Sequence, residues 1–173
     1  TYAYHSIPLG YNGASLLYGW NKSKSSPKEE YTDDILRSKM TSTSLAIHKD
    51  IYNSENGEYV GEVFAGFNTS NKSVTQNTGV YSHDQLRVPN IGGTYVKNDS
   101  SGMTILSSEL HQGLDAFGAT SRGNPLASRN AKSAFTKFLL TAQRRNVLPF
   151  NMQGNLKLKA QVTSSKLMPQ EEL

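Results

Sequence analysis

Cysteine is absent from the 173 residues, which excludes disulfides and thiolate metal sites. The four histidines, His5, His48, His83 and His111, lack close metal-ligand spacing, so no metal ligands are assigned. No apolar run approaches the roughly 18 residues that a membrane-spanning helix needs. There is no phosphate-binding loop, no G-x-G-x-x-G and no G-x-S-x-G elbow, which removes the common nucleotide and serine-hydrolase sites. The first residue is Thr1, with no methionine and no signal-peptide pattern, and this predicts a processed product or an excised domain. Glu29-Glu30 and Asp33-Asp34 lie in a polar stretch and read as solvated carboxylates rather than an acid/base pair.

The most informative absence is local. From Ala116 to Gln170 there is no aspartate or glutamate, yet nine Lys/Arg occur there. The first 115 residues carry nine basic side chains against twelve acidic ones, a balance of −3, so the overall +4 hides a polarised molecule. Such asymmetry predicts an acidic partner for residues 116–170, with Arg129, Lys132, Lys137, Arg144, Arg145, Lys157 and Lys159 as its contacts. The length predicts a single domain over 1–173, slightly acidic in 1–115 and acid-free and basic in 116–170. Abundant Ser, Thr, Asn and Gly predict many loops, while nine Tyr, six Phe and one Trp leave enough to pack a core.

Periodicity divides the chain. Tyr2 to Ile7 suits a strand, Pro8 and Gly10 a turn, and Ala14 to Trp20 a brief helix. Asn21 to Asp34 reads as a loop, and Thr41 to Leu45 is β-prone, with helical tendency through Tyr52. Glu58 to Phe67 reads as a buried strand with Tyr59, Gly61, Val63 and Ala65 on one side. Asn68 to Gly79 is nearly all Ser, Thr, Asn, Lys and Gln and reads as an exposed loop, and Met103 to Leu106 as a short strand. Asn124-Pro125 resembles a helix start, and Ala127, Ala131, Phe135, Phe138, Leu139 and Ala142 recur at helical spacing up to Leu148-Pro149. Asn155 to Thr163 alternates cleanly, which predicts a strand with Leu156, Leu158, Ala160 and Val162 inward and Lys157, Lys159 and Gln161 outward. The expected fold class is a mixed α+β single domain with a long amphipathic helix near the C-terminus.

Three patches together resemble the ADP-ribosyltransferase domains of diphtheria-like and pertussis-like toxins. Tyr4-His5-Ser6, then Gly10-Tyr11, is similar to the first strand and following turn of the diphtheria-like group. Thr41-Ser42-Thr43-Ser44 resembles the Ser-Thr-Ser strand of the pertussis-like group, and Ser107-Ser108-Glu109-Leu110 resembles a strand bearing a catalytic glutamate. The resemblance implies that the α+β fold has a split, mostly antiparallel β core, with nicotinamide adenine dinucleotide (NAD) as cofactor, bound by His5, Tyr11, Ser42 and Ser44, and with Glu109 catalytic. A carboxylate beside the ribose can stabilise an oxocarbenium-like transition state, and tyrosines can stack on nicotinamide. It further implies a toxin or effector that is secreted or delivered into a target cell and modifies a macromolecular acceptor.

A second reading fits the same composition. A non-enzymatic, nucleic-acid-binding or coat-like assembly protein would use the basic third against phosphates. The enzyme requires His5, Tyr11 and Glu109 to meet in one cleft. The binding protein requires the seven cations to share one surface.

Overall fold

The computed structural model describes residues 1–26, 37–76, 79–121, 124–128, 132–150, 152–168 and 171. Eight strands follow one another: β1 (Tyr2–Pro8), β2 (Ala14–Ser25), β3 (Arg37–Asn53), β4 (Tyr59–Gln76), β5 (Gly79–Asp99), β6 (Gly102–Gly113), β7 (Phe135–Val147) and β8 (Gln153–Thr163). They form one antiparallel sheet in the order β1-β2-β3-β4-β5-β6-β7-β8, each strand pairing with its neighbours in sequence. The outer strands β1 and β8 are paired on one side only among the described residues.

This all-β meander overturns the expected α+β class, and among the described residues no α-helix is present. The stripe read as a C-terminal helix is largely strand β7. Phe138 and Ala142 fall on one face of it, Phe135 and Leu139 on the other. Apolar residues on both faces of a strand imitate a 3.6-residue period over a short window; Ala131, part of that stripe, lies outside the described residues. Ala14–Trp20 and the residues after Leu45 are also strand, paired residue for residue across β2 and β3. Asn68–Gln76, read as a loop, continues β4 between β3 and β5. The expected strands at Tyr2–Ile7, Met103–Leu106 and Asn155–Thr163 lie in sheet, as does Glu58–Phe67 from Tyr59 onward.

The two ends of the sheet differ. At one end the connections are short: residues 9–13, 54–58, 100–101 and 148–152. At the other end lie the 26–36 connection, the 114–134 connection and the far ends of β4 and β5. Strand β5 outruns β6, whose pairing with it stops at Asn90–His111. Its bared edge is covered by residues 114–121 and 124–128: Thr120 donates to the Gln85 carbonyl at 2.9 Å, and His83 donates to the Leu126 carbonyl at 2.8 Å. The Ser128 amide donates to Asp84 Oδ1 at 2.8 Å. Covering an edge in this way satisfies backbone groups that would otherwise invite pairing with another chain.

The small core joins β5, β7 and the segment after β8. Leu86 and Val88 of β5, Phe135 of β7, and Leu167 and Met168 of the segment after β8 are buried together. Closer packing elsewhere constrains glycine. A side chain at Gly92 would come within 2.6 Å of the Phe64 ring and the Ser108 carbonyl. Gly102 closes the β5–β6 turn at φ +151°, a conformation that side-chain-bearing residues avoid.

Candidate functional site

Directly paired residues of an antiparallel sheet project from the same face, so the register sorts every side chain onto one of two surfaces. One surface carries Ile7, Leu16, Leu45, Ile47, Val63, Phe67, Ile91, Tyr95, Leu106, Leu110, Phe138, Leu140, Leu156, Leu158 and Val162. Most of these are exposed, Leu158 by 61% and Val162 by 69%. The belt is oblique. At β1 and β2 it lies in the rows of Arg87 to Ile91, and at β8 in the rows of Ile91 to Lys97. A drift of this kind is what tilted strands give when a level band is drawn around them. Beyond the belt the same surface turns polar, with Lys22, Lys24, Lys39 and Arg87 towards one end and Lys97, Asp99 and Arg144 towards the other.

The opposite surface is polar. It presents Ser42, Ser44, His48, Glu62, Asn68, Ser70, Thr94, Ser107, Glu109, Thr141, Gln143, Arg145, Lys157, Lys159 and Gln161. This is the concave side. Glu171 pairs with Lys137 on β7, and it also lines a cleft of about 390 Å³ with Tyr2, Tyr4, Ser42, Ser44 and Asn68 on β1–β4. One residue can touch both regions because the sheet curls around it.

The acids of the concave face are largely paired. His48 is paired with Glu62 and stacks on Phe64 with ring centroids 5.2 Å apart. His111 lies 2.9 Å from Glu109, and the Lys137–Glu171 pair is nearly buried. At the β5–β6 turn, beyond the belt, Arg144 and Asp99 meet at 2.7 Å. Hydrogen bonds from Arg144 and Ser101 hold the Asp99 carboxyl well below the usual carboxylate range.

The residues expected to bind NAD do not converge. His5 projects from the apolar surface of β1, while Glu109 projects from the polar surface of β6, four strands beyond β2. Tyr11 sits fully exposed in the β1–β2 turn. Ser42 and Ser44 share the polar face with Glu109 but belong to β3. The seven cations also separate. Lys137, Arg145, Lys157 and Lys159 lie on the concave face, Arg144 on the other, and Lys132 in the 114–134 connection. Arg129 lies outside the described residues. Sequence reasoning missed the outward belt: on β8 the alternation of Leu156, Leu158, Ala160 and Val162 reads as facing inward, and Leu16 and Ile47 fall in stretches read as helical.

The sequence matches the family of haemolysin secretion/activation proteins ShlB/FhaC/HecB over residues 1–173. No curated protein matches it. Among solved structures, CdiB from Escherichia coli superposes with a TM-score of 0.77 at 15% identity, covering 96% of this chain. The chain spans about a third of CdiB's length, 31%. These findings overturn the ADP-ribosyltransferase toxin reading, its NAD cofactor, and the nucleic-acid-binding or coat-like alternative. The short strings that carried the resemblance are ordinary strand and turn residues of a meander. The chain belongs to the ShlB/FhaC/HecB family of haemolysin secretion/activation proteins.

Proposed function

We propose that these eight strands form part of the wall of an outer-membrane-type β-barrel whose concave face lines a passage for a secreted protein partner. The carrying observation is the oblique belt of exposed Leu, Ile, Val, Phe and Tyr on one surface, opposite a polar concave face. In water such a belt is a liability; against acyl chains it is the favoured arrangement, since a barrel strand alternates apolar-out and polar-in. Turns of five residues or fewer at one end, against connections of 11 and 21 residues in two of the three hairpins at the other, match the usual asymmetry of such barrels. Strands β4 and β5 run for 18 and 21 residues, against the roughly 9–11 that span a bilayer. Their far ends therefore extend into water, which accounts for Asn68–Gln76 being polar at every position but Val74. The single-sided pairing of β1 and β8 calls for further strands to close the wall, because no open edge is tolerated in hydrocarbon.

The partner is a macromolecule, and its path is the concave face. The acidic character expected of the partner of residues 116–170 belongs to that path, where Arg145, Lys157 and Lys159 stand.

The absence of cysteine allows a direct test. Single cysteines replace Leu140, on the belt, and the next residue Thr141, on the concave face, in the vesicle-reconstituted protein. A membrane-impermeant maleimide should label Thr141→Cys and spare Leu140→Cys, while a nitroxide lipid should quench a fluorophore at 140 alone. Equal labelling of both positions would refute the membrane-facing belt.

A further inference from the structure

We infer that Arg145, Lys157 and Lys159 form a cationic ladder that docks an acidic, extended segment of the protein passing along the concave face. The inference rests on the barrel reading above and adds the chemistry of the segment that is recognised.

The charge sorting on this face carries it. Glu62, Glu109 and Glu171 are hydrogen-bonded by His48, His111 and Lys137, Asp84 accepts from the Ser128 amide, and Asp50 stands on β3, four strands from β7. Arg145, Lys157 and Lys159 are exposed, and among the described residues no carboxylate pairs with them. The same strands place their remaining guanidinium, Arg144, on the other surface and pair it with Asp99. Positive charge in excess has thus been collected on one side of β7 and β8.

The spacing suits one kind of occupant. Lys157 and Lys159 are alternate residues of one strand, about 6.7 Å apart along it. Arg145 pairs with Asn155, which puts it on the diagonal from Lys157, about 7–8 Å away. An extended peptide presents every second side chain at the same interval, so Asp or Glu at alternate positions can meet all three cations. Between them, Gln143 donates to Asn155 at 2.9 Å, leaving an amide-rich floor that can exchange hydrogen bonds with a passing backbone. At the Arg145 end the ladder opens on a recess of about 550 Å³ lined by Asn98, Met103, Asn146, Gln153 and Asn155, whose one carboxylate, Asp99, is held by Arg144. Several weak, exposed contacts suit transit better than one tight site, because a passing chain must leave as readily as it enters.

The test uses the lipid-reconstituted protein and a short alternating Ser-Glu peptide carrying a fluorophore, read by anisotropy. Lys157→Glu with Lys159→Glu should weaken binding about tenfold and flatten its salt dependence, two exposed contacts being exchanged for repulsions. Lys22→Glu with Lys24→Glu makes the same net-charge change on the opposite surface and should leave binding within about twofold. Equal losses in the two double variants, or no saturable binding of the peptide, would overturn the ladder. So would an oligothymidine that binds as tightly as the peptide and loses as much on reversal. Quenching of Trp20, which projects from the outward surface, by brominated acyl chains separates the two claims. A quenched protein that ignores the peptide refutes the ladder alone, and an unquenched one refutes the barrel and the ladder together.

Discussion

Replacing Leu158 by lysine discriminates sharply between a belt that faces water and one that faces lipid. Leu158 is 61% exposed and central in the apolar run of β8. If water lay outside, Leu158→Lys would exchange an exposed apolar group for a charge and cost within about 0.5 kcal/mol, the usual range for surface substitutions. If lipid lies outside, two losses combine. The leucine forfeits about 1–2 kcal/mol of transfer energy for its exposed portion, and the ammonium must be carried to membrane depth. Together these come to about 2–4 kcal/mol in a barrel wall near the midplane. The neighbouring Lys159→Leu supplies the internal control, since it changes the concave face and should shift stability by less than about 1 kcal/mol. Urea unfolding of the protein folded into phosphatidylcholine vesicles measures both. A Leu158→Lys variant within about 0.5 kcal/mol of wild type would refute the lipid-facing assignment of β8 and, with it, the inside-out reading of the sheet.

Two further outcomes follow from packing. Gly92→Ala places a methyl group 2.6 Å from the Phe64 ring and the Ser108 carbonyl. It should cost about 1–3 kcal/mol in the same unfolding assay, whereas Gly57→Ala, with open space around it, should cost less in contacts and act only through its positive φ. Lys137→Met leaves the Glu171 carboxylate, 16% exposed, without its cation. Breaking such a nearly buried pair costs about 3–5 kcal/mol. The segment carrying Leu167 and Met168 should then lift from the concave face, seen as faster tryptic cleavage at Lys166, and Lys137→Arg should restore protection.

Much of the secondary structure was legible where alternation was clean. Leu156, Leu158, Ala160 and Val162 announce β8 without ambiguity, yet the inference that they point inward failed. Period two says only that two faces differ; which face is inside depends on the solvent, and composition does not name it. Asn68–Gln76 hid as a loop because both of its faces are polar, so pairing with β3 and β5 is set by its neighbours rather than by its own pattern. The false helix at Ala127–Ala142 arose where Phe135 and Leu139 pack on the concave side and Phe138 on the outer one. The acid-free third proved to be a real polarity, but one distributed over two surfaces and a connection. Backbone register, which no composition records, separates Arg144 from Arg145.

Strict pairing of each strand with its neighbour in sequence also sets how this wall can be assembled. Among the described residues no hydrogen-bonded ladder joins strands that are distant in the chain, so the sheet can grow hairpin by hairpin, each new strand closing only its own connection. The β5–β6 connection closes over two residues and the β6–β7 connection over 21. By polymer statistics the longer one costs about 2 kcal/mol more to close. Its bonds to His83, Gln85 and Arg87 offset that cost, but they can form only once β5 is in place. The overhang of β5 beyond β6 is therefore a template as well as an edge. It makes the docking of β7 and β8, and of the cations they carry, the step most dependent on earlier strands.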